Sequence, residues 1–193
     1  MPRPKSFDED AMLDRAMELF RERGYEGTSL ADLEARLGLG RQSLYNTYGD
    51  KQAFFLKVLD RYQREISGAT LARLTAPDAG LKEIQAYFRT AVRSLSAPGT
   101  RRTCLIVNTI LERGSKDPDT LLHCNHARAG LERAFRRALA QAKSRGELAR
   151  DLDVEATATF LVVQNYGLNV LAKTGAAREE LSAVVEVLLA GLK

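Results

Sequence analysis

Apolar residues recur three and four positions apart along most of the chain, which predicts helices rather than strands. Leu13, Ala16, Met17 and Phe20 form one face of a first helix. Ser6 and Glu9 stand at capping-box spacing, which starts that helix near Phe7 or Asp8, and Gly24 ends it. A short second helix turns Leu30, Leu33 and Leu37 inward and Asp32, Glu34 and Arg36 outward, with Thr28 or Ser29 as its cap. Gly38 stands where a left-handed residue closes that helix, and Leu39-Gly40 leads tightly into a third helix over about 41–48. Gly49-Asp50 breaks the third helix, and Asp50 caps a long fourth one over about 51–75. Five more are predicted over about 79–96, 103–113, 118–145, 153–173 and 178–192.

The two final helices are the most apolar. In the last, Leu181, Val184, Val185, Leu188 and Leu189 keep 3–4 spacing over three turns. The one before carries Phe160, Leu161, Val162, Val163, Tyr166, Leu168 and Val170, more than one face can hide.

Composition sharpens the class. The chain has 28 Leu and 26 Ala against only 10 Val and 4 Ile, a balance that lowers the cost of helix. No proline interrupts 5–76 or 119–193. The expected fold is all-α, about nine helices, with an N-terminal arm and three-helix unit over 1–50 and a larger helical domain over 51–193. The helix starting at residue 51 connects the two. At 193 residues the chain should bury about 70% of its unfolded surface, so it needs no disulfide or metal to fold. Its longest apolar runs, 104–107 and 187–190, are far short of a membrane span. Two cysteines and no secretory leader point to the cytoplasm.

Net charge is +4, yet residues 1–51 hold 8 Lys/Arg against 10 Asp/Glu. Average charge therefore does not argue for a nucleic-acid partner, and individual positions must carry that case. They do so over residues 28–51. Two short helices joined by Gly38-Leu39-Gly40 have the form of a helix–turn–helix, in which the second helix enters the major groove. Leu44 and Tyr48 can anchor that second helix, which leaves Gln42 and Asn46 nearly opposite, flanked by Ser43 and Tyr45, with Arg41 at the N-terminal end. Amides can bond adenine and guanidinium can bond guanine, each good pair worth roughly 1–3 kcal/mol of discrimination. Thr28 and Lys51, each at a helix start, are placed for phosphates. Spacing alone also allows an ordinary helical corner.

From Ser6 to about Tyr62 the chain resembles the N-terminal domain of the TetR family of transcriptional regulators. The resemblance lies in Ala16-x-x-Leu19-Phe20, Arg23-Gly24-Tyr25, Thr28-Ser29-Leu30, Leu37-Gly38-Leu39, Ser43-Leu44-Tyr45-x-x-Tyr48 and Gly49-Asp50-Lys51 followed by Phe54. Tyr48 stands where the family more often has Phe, and its hydroxyl is expected to reach phosphate or solvent. The resemblance implies operator contacts by Thr28, Arg41, Gln42, Ser43, Tyr45, Asn46, Tyr48 and Lys51, with Arg3 and Lys5 as a basic arm. Asp8, Glu9, Asp10, Asp14, Glu18 and Glu22 would then lie on the outer face of the first helix.

The resemblance also implies that the remainder binds a small effector and forms a homodimer on double-stranded operator DNA. Phe160, Val163, Leu181, Val184, Val185, Leu188 and Leu189 are the expected dimer face, the alternative being that they only fill the monomer core. Residues 103–112 resemble a G-C-L-x-x-N-x-x-x-E stretch of a subset of the family, with Thr103 replacing Gly. Cys104 and Asn108 share a face there, and Asn108 either bonds backbone in the core or lines a ligand cavity. Tyr62, Tyr87, Phe88, Phe135, Gln164, Asn165 and Tyr166 are further pocket candidates.

His123-Cys124-Asn125-His126 with Cys104 invites a metal or thiol reading. The spacing opposes a metal, because only His123 and His126 share a helical face. The cations over 128–150 read as a solvated face opposite Leu131, Ala134, Phe135, Ala138, Leu139 and Ala142. No Ser/His/Asp arrangement, P-loop or HExxH is visible, so no enzyme and no cofactor are expected. The favoured reading is a repressor released from a palindromic operator by a small molecule. The alternatives are a regulator without ligand control, a metal or thiol sensor using Cys104, and a helical adaptor that does not bind DNA.

Overall fold

Helix α1 (Glu9–Arg23) begins at Asp8, whose carboxylate accepts from the N–H groups of Asp10 and Ala11 at 3.0 and 3.3 Å. The computed structural model describes residues 8–97 and 104–192, so Ser6, Arg3 and Lys5 lie outside the described residues. The cap is therefore Asp8, two residues beyond the expected Ser6.

Helix α2 (Leu30–Leu37) is capped by Ser29 in a reciprocal box with Asp32, which decides between the two candidate caps. Gly38, at φ 68° and ψ 25°, closes it in the left-handed region that glycine occupies without steric cost. Helix α3 (Arg41–Tyr48) follows Gly40, and Asp50 caps α4 (Lys51–Tyr62) by accepting from Ala53 N–H at 2.8 Å. The expected single helix over 51–75 is interrupted. A π-helical turn (Gln63–Ser67) separates α4 from α5 (Gly68–Ala72), and Gly68 N–H bonds Gln63 C=O. One inserted residue rotates the downstream face by about 100°, a change of phase that apolar periodicity does not announce.

The remaining helices are α6 (Leu81–Leu95), α7 (Leu105–Arg113), α8 (Pro118–Ser144), α9 (Val154–Lys173) and α10 (Arg178–Ala190). Asp117 caps α8 with Pro118 at its first position, and Asp153 caps α9. Counting α4, the π turn and α5 as one rod, the described residues form nine helices and no strand.

Two apolar cores result. In the first, Phe20, Tyr25 and Phe55 meet at ring-centroid distances of 4.8–6.3 Å, joined by Leu33, Leu44, Phe54 and Leu59. Leu105 and Cys124 reach into it from α7 and α8, tying the three-helix unit to the rest. In the second, α6, α8, α9 and α10 pack around Phe88 and Phe135, whose rings stack at 5.7 Å and 5°. Leu131, Ala134, Phe135, Ala138, Leu139 and Ala142 of α8 face this core, as the sequence predicts. Among the described residues, no helix is long and apolar enough to cross a membrane.

Candidate nucleic-acid interface and effector cavity

Helix α3 is fixed from beneath. Leu44 and Tyr48 are buried, and the Tyr48 ring lies 4.5 Å from Phe54. Arg41, Gln42, Ser43, Tyr45 and Asn46 are all exposed, and the helix carries no acidic residue in its first turn. Gln42 Nε2 donates to Asn46 Oδ1 at 2.9 Å, so the two amides stand side by side on the outer face. The Arg41 guanidinium lies 6.0 Å from the Tyr45 ring centre.

The acidic residues of the unit are spent elsewhere. Arg61 holds Asp14 through two N–H groups at 2.6 and 2.9 Å and also bonds Asp10, which depresses the Asp14 carboxyl below its usual range. Glu18 pairs with Arg21, Glu22 with Arg36, and Asp32 with Arg23. Arg61, from outside residues 1–51, thus offsets Asp10 and Asp14, while Glu18, Glu22 and Asp32 are held by arginines within that stretch.

Of the expected contacts, Thr28 and Tyr48 turn into the protein and Lys51 does so in part. Thr28 is fully buried, and its hydroxyl donates to Gly24 C=O at 2.7 Å, because the turn after α1 needs that bond more than solvent does. Tyr48 is an anchor only: its hydroxyl is buried with no partner, and burial pushes the phenol up to about 12. Lys51 is half-buried, with Nζ donating to Tyr25 C=O at 2.7 Å and lying 4.1 Å from the Tyr25 ring centre. Burial lowers its pKa, and only its remaining N–H groups are free for an anion.

Tyr25 is also a junction that sequence reasoning missed. Its N–H donates to Glu112 Oε2 at 2.8 Å, and the Arg113 guanidinium lies 4.0 Å from its ring centre. Arg113 in turn bonds Asp117 at 2.6 Å and both Gln52 and Glu26 at 3.1 Å. A Cβ on Gly24 would collide with the Glu112 carboxylate, and Gly24 has φ 77°. The C-terminal end of α7 is therefore latched to the turn after α1. The available signal was Glu112, the last residue of the 103–112 resemblance.

At the other end of α7 lies a cavity of about 130 Å³. Of the pocket candidates, Tyr62, Tyr87, Cys104, Asn165 and Tyr166 line it. Thr70, Leu71, Ile106, Ala127, Leu131 and Asn169 line it too and were not anticipated. Tyr62 OH donates to Cys104 Sγ at 3.5 Å. Asn169 ties two helices together, with Oδ1 accepting from Cys104 N–H at 2.9 Å and Nδ2 donating to Asn165 C=O at 2.8 Å. Asn169 stands four residues after Asn165, a spacing that could have been read from the sequence.

Four candidates fall outside this cavity. Phe88 and Phe135 are core, stacked on each other because two flat rings fill the centre of the four-helix packing. Asn108 is buried and accepts from Lys173 Nζ at 3.1 Å, beside a different cleft lined by Arg21, Glu22, Arg23 and Glu112. Gln164 lies in a surface groove with Phe160, Val184 and Val187.

The residues expected at the dimer face divide around that groove. Phe160, Val163 and Val187 are 43%, 57% and 76% exposed, and Val184 is half-buried. Leu181, Val185, Leu188 and Leu189 are buried in the monomer core, because one side of α10 packs on α6 and α9. The double-sided apolar pattern thus divides between core and surface.

The histidine–cysteine cluster disperses. His123 Nδ1 sits 2.9 Å from Asp60, Cys124 is fully buried with its thiol pushed up to about 12, and Cys104 faces the cavity. Among the described residues, no three His, Cys, Asp or Glu side chains gather as a metal site. The basic run on α8 forms ion pairs in part, Arg128 with Glu132 and Arg136 with Glu155, each at 2.7 Å.

Comparisons with known proteins agree with this geometry. Residues 12–58 match the family model of bacterial regulatory proteins, tetR family, and residues 80–188 match that of the tetracyclin repressor-like C-terminal domain. The chain is 38% identical, over 100% of both chains, to the uncharacterized HTH-type transcriptional regulator YezE of Bacillus subtilis (strain 168). It is 35% identical to the HTH-type transcriptional repressor ComR of Escherichia coli (strain K12), over 94% of this chain and 87% of ComR. Among solved structures, a cysteine-substituted CifR, a TetR family transcriptional regulator complexed with 26-bp double-strand operator DNA, is 33% identical. It superposes with a TM-score of 0.85 over 99% of this chain and 100% of CifR.

Proposed function

Because the chain belongs to the TetR family of transcriptional regulators, we propose that it represses transcription as a homodimer on a palindromic operator and is released by a small molecule bound beneath α7. It is a DNA-binding regulator and not an enzyme. The observation that carries the operator reading is the exposed face of α3, amide-bearing and free of acid, on an anchor of buried Leu44 and Tyr48. Arg41, Gln42 and Asn46 read base edges in this scheme, while Ser43, Tyr45 and the remaining N–H groups of Lys51 take phosphates. Arg3 and Lys5 extend the contact as an arm. Phe160, Val163, Val184 and Val187 form the two-fold contact, which spaces two reading heads for two half-sites. The division near residue 50 separates reading from sensing, and the place of action is the cytoplasm.

Footprinting of the purified protein on DNA flanking its own gene tests this reading. A protected inverted repeat is expected, and protection independent of sequence at low salt would overturn it.

A second reading rests on Cys104. Its sulfur opens onto the cavity and receives the Tyr62 hydroxyl. Alkylation of the Cys104 thiol by iodoacetamide, in which the S–C bond forms as the C–I bond breaks, iodide leaves and the thiol proton goes to solvent, would fill the same space as a reversible effector. Operator release by iodoacetamide that Cys104→Ser abolishes would favour this reading, and release unaffected by Cys104→Ser would dismiss it.

A further inference from the structure

Among the described residues that line the cavity, none is charged. Its polar groups are the phenols of Tyr62, Tyr87 and Tyr166, the carboxamides of Asn165 and Asn169, the Thr70 hydroxyl and the Cys104 thiol. Several of these are already committed. Tyr62 OH serves Cys104, and Asn169 serves Cys104 N–H and Asn165 C=O.

Two others are not. Tyr87 makes ring contacts with Phe88 and Phe135 while its hydroxyl bonds no described residue, and the buried Asn165 carboxamide likewise has no described side-chain partner. The Tyr166 hydroxyl is also buried without a partner. Burial raises all three phenols above their ordinary range, Tyr166 to about 12, so near neutrality each is a hydrogen-bond donor and not an anion. Unpaired donors at a cavity wall call for an acceptor, and the described lining residues include no cation or carboxylate to set against an ionic ligand's lost hydration. Size adds a bound: an apolar cavity of about 150 Å³ accepts benzene.

We propose that this cavity takes a small uncharged molecule of about seven non-hydrogen atoms, whose carbonyl-type oxygen accepts from Tyr87 and Asn165. The aliphatic sides of Leu71, Ile106 and Leu131 cover its apolar body. As an effector class this rests on the release reading above; as a binding specificity it stands without it.

Three probes of one shape separate the terms: pinacolone, pivalamide and pivalate share a tert-butyl carbonyl and differ in charge. Binding to the full-length dimer is read by calorimetry at pH 7.5, and operator affinity by fluorescence anisotropy on the footprinted site in the same samples. Pinacolone or pivalamide should bind at least about tenfold more tightly than pivalate, and Tyr87→Phe should weaken pinacolone by roughly fivefold. Pivalate binding as well as its neutral analogues, or no binding by any of the three, overturns the ligand class. Unchanged pinacolone affinity in Tyr87→Phe overturns the donor assignment. Neutral binding without change in operator affinity supports the ligand class and refutes release through this cavity. Release by pivalate binding as tightly as pinacolone keeps the release reading and refutes the ligand class.

Discussion

Val187→Arg is expected to break the dimer and leave the protomer folded. Val187 is 76% exposed on α10, next to the buried Leu188 and across the groove from Phe160. Full burial of a valine contributes about 1.5–3 kcal/mol, so covering the exposed part in an interface contributes about 1–2 kcal/mol. Two-fold symmetry presents the residue twice, which doubles the loss to about 2–4 kcal/mol, or roughly 30- to 1,000-fold in dimer affinity. Two guanidinium groups brought together without partners add to that loss. Sedimentation at micromolar concentration should show monomer, with helical circular dichroism retained and operator binding lost. Leu188→Arg differs in kind. Leu188 is only 4% exposed, so its substitution places a charge in the monomer core and should lower the unfolding midpoint sharply. A Val187→Arg protein that sediments as a wild-type dimer would remove α10 from the interface.

Other expectations follow from the same contacts. Arg41→Ala and Gln42→Ala should each weaken operator binding by about 1–3 kcal/mol with little change on random DNA, whereas Lys51→Ala should weaken both and lower the salt slope by about one. Equal losses on operator and random DNA for all three would refute those roles. Thr28→Val should reduce thermal stability, through the lost bond to Gly24 C=O, more than it reduces DNA affinity per folded molecule; the opposite order would restore Thr28 as a contact. The Asp14 carboxyl is depressed in the folded state by its bonds to Arg61, so its contribution is present above the ordinary value of 3.8 and is lost as pH falls below it. Acid unfolding of Asp14→Asn should accordingly be shallower than wild type in that window, and an identical profile would show the pair to be inert. Glu112→Ala removes a charged acceptor of the Tyr25 N–H and should cost about 1.5–3 kcal/mol in urea denaturation, while a cost near zero would mean that water replaces the latch.

Local signals were legible in the sequence wherever one residue type has one physical use. Gly38 at positive φ, Asp50 as a cap, and α3 over Arg41–Tyr48 follow from backbone chemistry that acts over four residues. What did not follow depends on long-range packing. The burial of Thr28 and the Tyr48 hydroxyl is set by neighbours in space, and helical wheels cannot rank two apolar faces of α10 against each other. The π turn shifts Thr70 and Leu71 toward the cavity by a single residue of phase. The cavity itself is legible only in part: aromatic and amide residues pointed to it, but Phe88 and Phe135 have the same composition signature and fill the core. Glu112 shows the limit most clearly, since its partner is a backbone N–H 87 residues away.

Under the release reading proposed above, the two ends of α7 join sensing to reading. Cys104 at its head borders the cavity, and Glu112 near its tail holds Tyr25. Eight residues of helix separate them, about 12 Å at 1.5 Å per residue. A tilt of roughly 5° about the head would move the tail by about 1 Å, enough to carry a 2.8 Å hydrogen bond beyond its working range. Tyr25 also receives Lys51 Nζ at its carbonyl, so the same displacement would disturb the start of α4, which packs directly on α3. A ligand can drive this only to the extent that it binds the tilted arrangement more tightly than the latched one. Glu112→Ala separates latch from ligand: operator affinity should fall without any small molecule, and added pinacolone should then produce a smaller further change than in wild type. A full-sized response to pinacolone in Glu112→Ala would place the coupling route outside this contact.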